Sequence, residues 1–154
     1  MIDTPQIVQS ERQQAAVIHL TIPRAEMMTQ FGPSVHELFN AIKAQGVAPS
    51  GPVFAHHFKI TPETFDFEVG LPVSTPVAVA GRVKPGEVPA AKVARTVYQG
   101  PYQGLPDAWG EFQKWIKASG LTPRGDIWEV YVEGPESSPD PNTYRTELNW
   151  PLSG

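Results

Sequence analysis

The residues with the most chemical capacity in this sequence are carboxylates interleaved with aromatic side chains. They fall in two runs, Trp128-Glu129-Val130-Tyr131-Val132-Glu133 and Tyr144-Arg145-Thr146-Glu147-Leu148-Asn149-Trp150. A carboxylate in a partly desolvated aromatic pocket can pair with a cationic or polarised ligand, while the rings supply stacking and cation–π attraction. A desolvated Glu also has a raised pKa, which suits a general base acting on water. Glu147 is the foremost candidate for that carboxylate, with Tyr131, Tyr98 and Tyr102 as its aromatic company. The plain alternative is a face open to water, on which these are ordinary solvated strand residues.

Other chemistries lack their residues. The chain has no cysteine, so thiol nucleophiles, thiolate zinc sites, iron–sulfur ligation and disulfides are all excluded. His56 and His57 are adjacent in a strand-like run, so their rings point to opposite faces and do not converge on one metal. His19 and His36 stand alone. No G-x-x-x-x-G-K-[ST] phosphate loop, post-strand G-x-G-x-x-G or G-x-S-x-G elbow occurs. No metal and no cofactor is therefore expected.

Twelve Lys and Arg stand against sixteen Asp and Glu in 154 residues, a formal net charge of −4, which gives no basic stripe for direct contact with nucleic acid. No apolar run reaches the roughly 18 residues of a membrane span, and no signal-like segment opens the chain. A cytoplasmic protein is expected. The length suits one domain, and 17 Pro with 13 Gly make it turn-rich.

The elements that must position these residues are written twice. Gly46-Val47-Ala48-Pro49-Ser50-Gly51-Pro52-Val53-Phe54 is echoed 74 positions later by Gly120-Leu121-Thr122-Pro123-Arg124-Gly125-Asp126-Ile127-Trp128. Glu68-Val69-Gly70-Leu71-Pro72-Val73 is echoed 79 positions later by Glu147-Leu148-Asn149-Trp150-Pro151-Leu152. The five extra residues belong to the turn-forming stretch 134–142, where insertion costs little. Before each echo lies a helical pattern: Val35, Leu38, Phe39 and Ile42 between Pro33 and Gly46, and Leu105, Trp109, Phe112 and Ile116 before Gly120. At this spacing Trp109, Phe112, Trp115 and Ile116 read as core.

Strand-like runs precede each helix (Ala15 to Ile22, Lys92 to Tyr98) and two follow it (Val53 to Ile60 with Thr64 to Leu71, Ile127 to Glu133 with Tyr144 to Trp150). The chain thus reads as α+β, two pseudo-symmetric β-α-β-β repeats forming antiparallel sheets with helices on one side and a central ligand cavity between the halves. Repeat one covers about 12–73 and repeat two about 91–152. The proline-rich stretch 74–90 connects them within one small-molecule-binding domain.

Strand alternation assigns faces. Trp128, Val130 and Val132 are expected to pack under the helix together with Thr146, Leu148 and Trp150. Glu129, Tyr131 and Glu133 then share the opposite face with Arg145, Glu147 and Asn149. In the first half Phe67, Val69 and Leu71 pack while Asp66 and Glu68 face away, so Glu68 and His57 are that half's candidates for a ligand lining. Trp128 starts a strand at a loop mouth, where its indole could line a pocket. Tyr102 sits on the rigid Gly100-Pro101 loop ahead of the second helix.

The doubled pattern, Gly100-Pro101-Tyr102, Trp128-Glu129-Val130-Tyr131-Val132 and Thr146-Glu147-Leu148 followed by Pro151 together resemble the GyrI-like, or AraC-type effector-binding, superfamily. The likeness runs from about Arg12 to Leu152. It implies a SOUL-like fold with a pocket for lipophilic, often cationic, small molecules, in which a Glu at the position of Glu147 is the central polar contact. Tyr131 and Glu129 lie in the matching Trp-Glu-Val-Tyr strand, and Trp128, Tyr102 and Tyr98 complete the aromatic lining. Too few residues precede the first strand for a helix-turn-helix segment, so the resemblance is to a stand-alone member. Such members imply sequestration of a drug-like ligand, hydrolysis of strained cyclopropane-bearing compounds with Glu147 as base and Tyr131 orienting it, or binding to a protein partner such as DNA gyrase.

Overall fold

A computed structural model describes residues 2–61, 63–134 and 139–153. Its elements run β1 (Gln6–Ser10), β2 (Gln13–Pro23), α1 (Met27–Ala44), β3 (Phe54–Ile60), β4 (Thr64–Pro72), β5 (Lys84–Val88), β6 (Ala91–Gln99), α2 (Leu105–Ala118), β7 (Ile127–Glu133) and β8 (Arg145–Pro151). All described strand pairs are antiparallel. The chain divides into two compact units, Glu11–Ala90 and Met1–Ser10 with Ala91–Gly154.

Each unit repeats one plan. In the first, β2 pairs with β4 and β5, and β4 pairs with β3. In the second, β6 pairs with β1 and β8, and β8 pairs with β7. The β-α-β-β reading holds, and the structure adds one edge strand per unit. β5 lies inside the stretch read as a plain connection, and β1 precedes the first repeat in the chain yet edges the second unit. Both are five residues long and mostly exposed. Pro85 is tolerated in β5 because an edge position need not donate on both sides.

The helices form where the apolar spacing places them, with adjustments. α1 begins at Met27 and contains Pro33, which the sequence reading placed at its start. Leu38 and Ile42 are buried, but Phe39, expected on the apolar face, is 42% exposed. Gly46 and Gly120 follow the helices at φ 68° and 70°, a left-handed stop that costs a residue without Cβ little. Of the stretch 134–142, residues 135–138 lie outside the described residues. In the rest, Asp140 accepts a hydrogen bond from Asn142 N at 3.0 Å and caps a short 3-10 turn.

The core of the second unit is Ala94, Tyr98, Ala108, Phe112, Ile116, Leu148 and Leu152, with Trp109, Trp115 and Trp150 packed partly buried against it. The first unit has a tighter contact at the positions equivalent to Trp128 and Asn149, on the sheet face away from the helix. Gly70 pairs directly with Phe54, whose buried ring occupies the space that a Cβ at Gly70 would need. Gly70→Ala must therefore shift the ring, and overpacking of this kind costs about 1–3 kcal/mol. A matching fall in the urea midpoint, with the m-value unchanged, is the expected result.

Candidate functional site

In an antiparallel ladder, residues directly opposite one another carry their side chains on the same face. β8 runs between β6 and β7, and its register sorts the candidate residues. Thr146 stands opposite Tyr98 and Tyr131, Leu148 opposite Thr96 and Glu129, and Trp150 opposite Ala94. These residues share the face on which α2 packs. Glu147 stands opposite Val97 and Val130, and Asn149 opposite Arg95 and Trp128, on the other face.

This corrects the expected assignment of β7. Glu129 and Tyr131 lie on the helix side of the sheet, and Glu147 does not stand among Tyr131, Tyr98 and Tyr102. Trp128 and Val130 lie on the face away from α2 rather than beneath it. Val132 is 46% exposed, at the irregularity where the ladder shifts between Tyr131 and Glu133. The alternation did not reveal this because both faces of β7 are buried at its start. Trp128 is 1% exposed on one side and Glu129 8% on the other, so apolar character does not show which side the helix covers.

Around Glu129 the structure gathers a constellation. Trp109 Nε1–H, from α2, donates to Glu129 Oε2 at 2.7 Å, and Tyr131 Oη–H donates to Oε1 at 2.7 Å. Tyr102 meets Tyr131 edge-on with ring centroids 5.9 Å apart and lies 5.2 Å from Tyr144. Trp109 in turn contacts Phe112 and Trp150 at 5.8 and 5.6 Å. Tyr102, Trp109 and Tyr131 are half-buried, and Glu129 beside them is 8% exposed. Burial raises the Glu129 pKa above the ordinary carboxylate value, opposed by the hydrogen bonds from Trp109 and Tyr131. Burial, and then the charge of Glu129, push the Tyr131 phenol well above its usual range. Among the described residues no Lys, Arg or His pairs with Glu129.

Glu147 is a different kind of carboxylate. It pairs with Arg95 (Nε to Oε1 3.3 Å) and accepts from Asn149 Nδ2 at 3.1 Å, while Arg95 Nε also donates to Asn149 Oδ1 at 2.7 Å. Its charge is met inside its own sheet. Tyr98 is a core residue: it is 6% exposed and donates to the Pro101 carbonyl at 2.8 Å, bracing the loop that carries Tyr102. In the first unit Glu68 forms a 3.7 Å pair with Lys84 and stands opposite His19 and His56. His57 stands opposite Phe67, on the other face from Glu68.

Sequence reasoning placed Trp109 in the core and Tyr144 merely in a strand. The available signal was Trp109's own polar edge, because an indole N–H in a packed stripe needs an acceptor. Among the described residues no group of three or more His, Cys, Asp or Glu could hold a metal ion. Among the described residues no helix is long and apolar enough to cross a membrane.

The comparisons agree with this architecture. The crystal structure of the EcmrR C-terminal domain superposes with a TM-score of 0.86 at 17% identity, covering 97% of each chain. EcmrR in its complex with DNA gives 0.85 at 17% identity over 97% of this chain, which spans 57% of that one. SAV2435, solved bound to tetraphenylphosphonium, gives 0.70 at 13% identity, covering 99% of this chain and 95% of that chain. A hydrolase from Listeria innocua gives 0.68 at 12% identity, covering 97% and 91%. At such identities the likeness is one of fold. No curated protein matches this sequence. The model of the GyrI-like small molecule binding domain matches residues 3–153. With nearly its whole length covered, this chain belongs to the GyrI-like small-molecule-binding domain family.

Proposed function

We propose that this protein captures lipophilic cationic small molecules and that Glu129, rather than Glu147, is the charge that holds them. One observation carries the reading: a carboxylate buried among aromatic rings, held by two neutral donors, with no cation beside it among the described residues. An ionised carboxylate in such a place is under-compensated, and a bound cation supplies what the fold leaves out. The rings of Trp109, Tyr131, Tyr102 and Tyr144 offer cation–π faces and apolar area. Membership in a small-molecule-binding family and the tetraphenylphosphonium complex of SAV2435 support this choice of ligand class.

The direct test is calorimetric titration with tetraphenylphosphonium and, as an uncharged relative, triphenylphosphine oxide. Glu129→Gln should weaken the cation by roughly tenfold and the neutral compound far less, the scale of one lost charged contact. Glu147→Gln should leave both nearly unchanged, since Arg95 already meets that charge. Equal losses for cation and neutral compound would remove Glu129 from the anchor role. Cation affinity should also rise with pH through the raised pKa of Glu129, because the ligand favours the ionised form.

Stability runs the other way. Because burial raises its pKa, Glu129 holds its proton more tightly in the folded chain than in the unfolded one. Its contribution is fully present below the unfolded carboxylate pKa and is lost as pH rises through the folded value. A glutamine at this position can accept from Trp109 with its carbonyl and donate to Tyr131 Oη with its amide. Glu129→Gln should therefore melt higher than wild type at neutral pH and lack the decline seen in thermal scans across that window.

A second reading draws on the same geometry. A carboxyl with a raised pKa, 2.7 Å from a phenol, has the makings of a general base that activates water against a strained electrophile. Incubation with a cyclopropane-bearing electrophile followed by mass spectrometry separates the two. A product heavier by one water, absent with Glu129→Gln, indicates turnover; recovery of the compound unchanged indicates capture.

A further inference from the structure

The internal repeat places a second constellation in the Glu11–Ala90 unit at the positions equivalent to the Glu129 site. His57 stands 74 positions before Tyr131, Phe65 stands 79 before Tyr144, and Arg24 opens a short 3-10 turn as Tyr102 does. At the position equivalent to Glu129 there is Ala55, fully buried. The framework recurs with its polarity inverted: one unit buries an acid among rings, and the other sets a cation and an imidazole among them.

An imidazole, two phenyl rings and a guanidinium converge here. His57 is 5% exposed, and its ring stacks on Phe67 at 5.0 Å and meets Phe65 edge-on at 5.5 Å. Its Nδ1 is buried without a hydrogen-bond partner, which an imidazole does not leave so at no cost. The Arg24 guanidinium lies over Phe65, 4.6 Å from the ring centroid. Its described side-chain hydrogen bond is one, from Nη1 to the Thr61 carbonyl at 3.3 Å, and no carboxylate among the described residues pairs with it. Burial, then the nearby charges of His56 and Arg24, pull His57 down to about 4, so its imidazole is neutral at physiological pH.

We propose that Arg24, His57 and Phe65 form a second binding site, selective for aromatic carboxylates, with the fully buried Phe67 backing the His57 ring. The guanidinium donates to the ligand's carboxylate, the half-buried Phe65 ring packs against its aromatic body, and Nδ1–H of the neutral imidazole donates the remaining hydrogen bond. A fixed donor fork over a ring face suits a planar acid.

The test is NMR titration of the full chain with 2-naphthoate and its uncharged counterpart 2-naphthamide. Naphthoate is expected to give saturable shifts at Arg24, His57 and Phe65 and to bind more tightly than the amide. Arg24→Gln, at an exposed position, should weaken the acid by about fivefold and abolish the preference, the upper scale of a solvent-accessible ion pair. His57→Phe keeps the stacked ring and should weaken both ligands. Glu129→Gln should leave naphthoate binding intact, so this proposal and the cation site fail separately. The proposal is overturned by absence of saturable shifts, by shifts confined to the Glu129 side, or by an acid preference that survives Arg24→Gln.

Discussion

A carboxylate taken out of water must find donors or a cation, and in the second unit that requirement ties together three elements. Glu129 comes from β7, one of its donors from the same strand two residues on, and the other from α2. Both donors reach it only because β8 holds β7 in a register that turns Glu129 and Tyr131 toward the helix. A one-residue slip of that pairing would carry the acid to the other face and strand the indole N–H of Trp109. The register, the helix position and the ionisation of one carboxyl are therefore a single constraint.

The internal repeat explains how such a site coexists with a shared framework. Both units use the same strand pairing, the same helix placement and the same left-handed glycine after the helix. The framework is maintained by apolar contacts such as Leu38 and Ile42 in one unit and Phe112 and Ile116 in the other. On that framework the two units differ in chemistry at equivalent positions: Glu129, Tyr131 and Tyr102 in one against Ala55, His57 and Arg24 in the other. Similar backbones deliver opposite chemistry because only a few side chains differ at equivalent positions.

Much of the scaffold was legible in the residues. The two echoes located both halves, and 3.6-residue spacing found α2 from its first residue and most of α1. The edge strands were not legible: Lys84-Pro85-Gly86-Glu87-Val88 reads as a loop, since Pro and Gly weaken a strand pattern and an edge strand needs only half of its hydrogen bonds. The face of β7 was not legible either. Alternation tells buried from exposed, and where both faces are covered it loses its meaning, so Trp128 and Glu129 are both buried for different reasons. Of the side chains gathered around Glu129, the sequence singles out Tyr131 and Tyr102 as lining candidates, while Trp109 reads as packing at its helical spacing.

The contrast between the two glutamates shows why residue type alone does not say which carboxylate is offset within the fold. Glu147 lies in the strand next to Glu129, flanked by Thr146 and Leu148, while Glu129 is flanked by Trp128 and Val130. On its own face Glu147 meets Arg95 and Asn149, so the charge it brings is already offset within the protein. A cationic ligand there would have to displace a guanidinium, exchanging one ion pair for another at little net gain. Among the described residues Glu129 meets only neutral donors, which stabilise its ionised form without cancelling its charge. On the proposed reading an incoming cation gains the full interaction in a desolvated setting, where Coulomb energies are several times those in water. What a carboxylate lacks in the folded chain is fixed by the side chains gathered on its face, Arg95 and Asn149 for Glu147 and Trp109 and Tyr131 for Glu129, rather than by the acid itself.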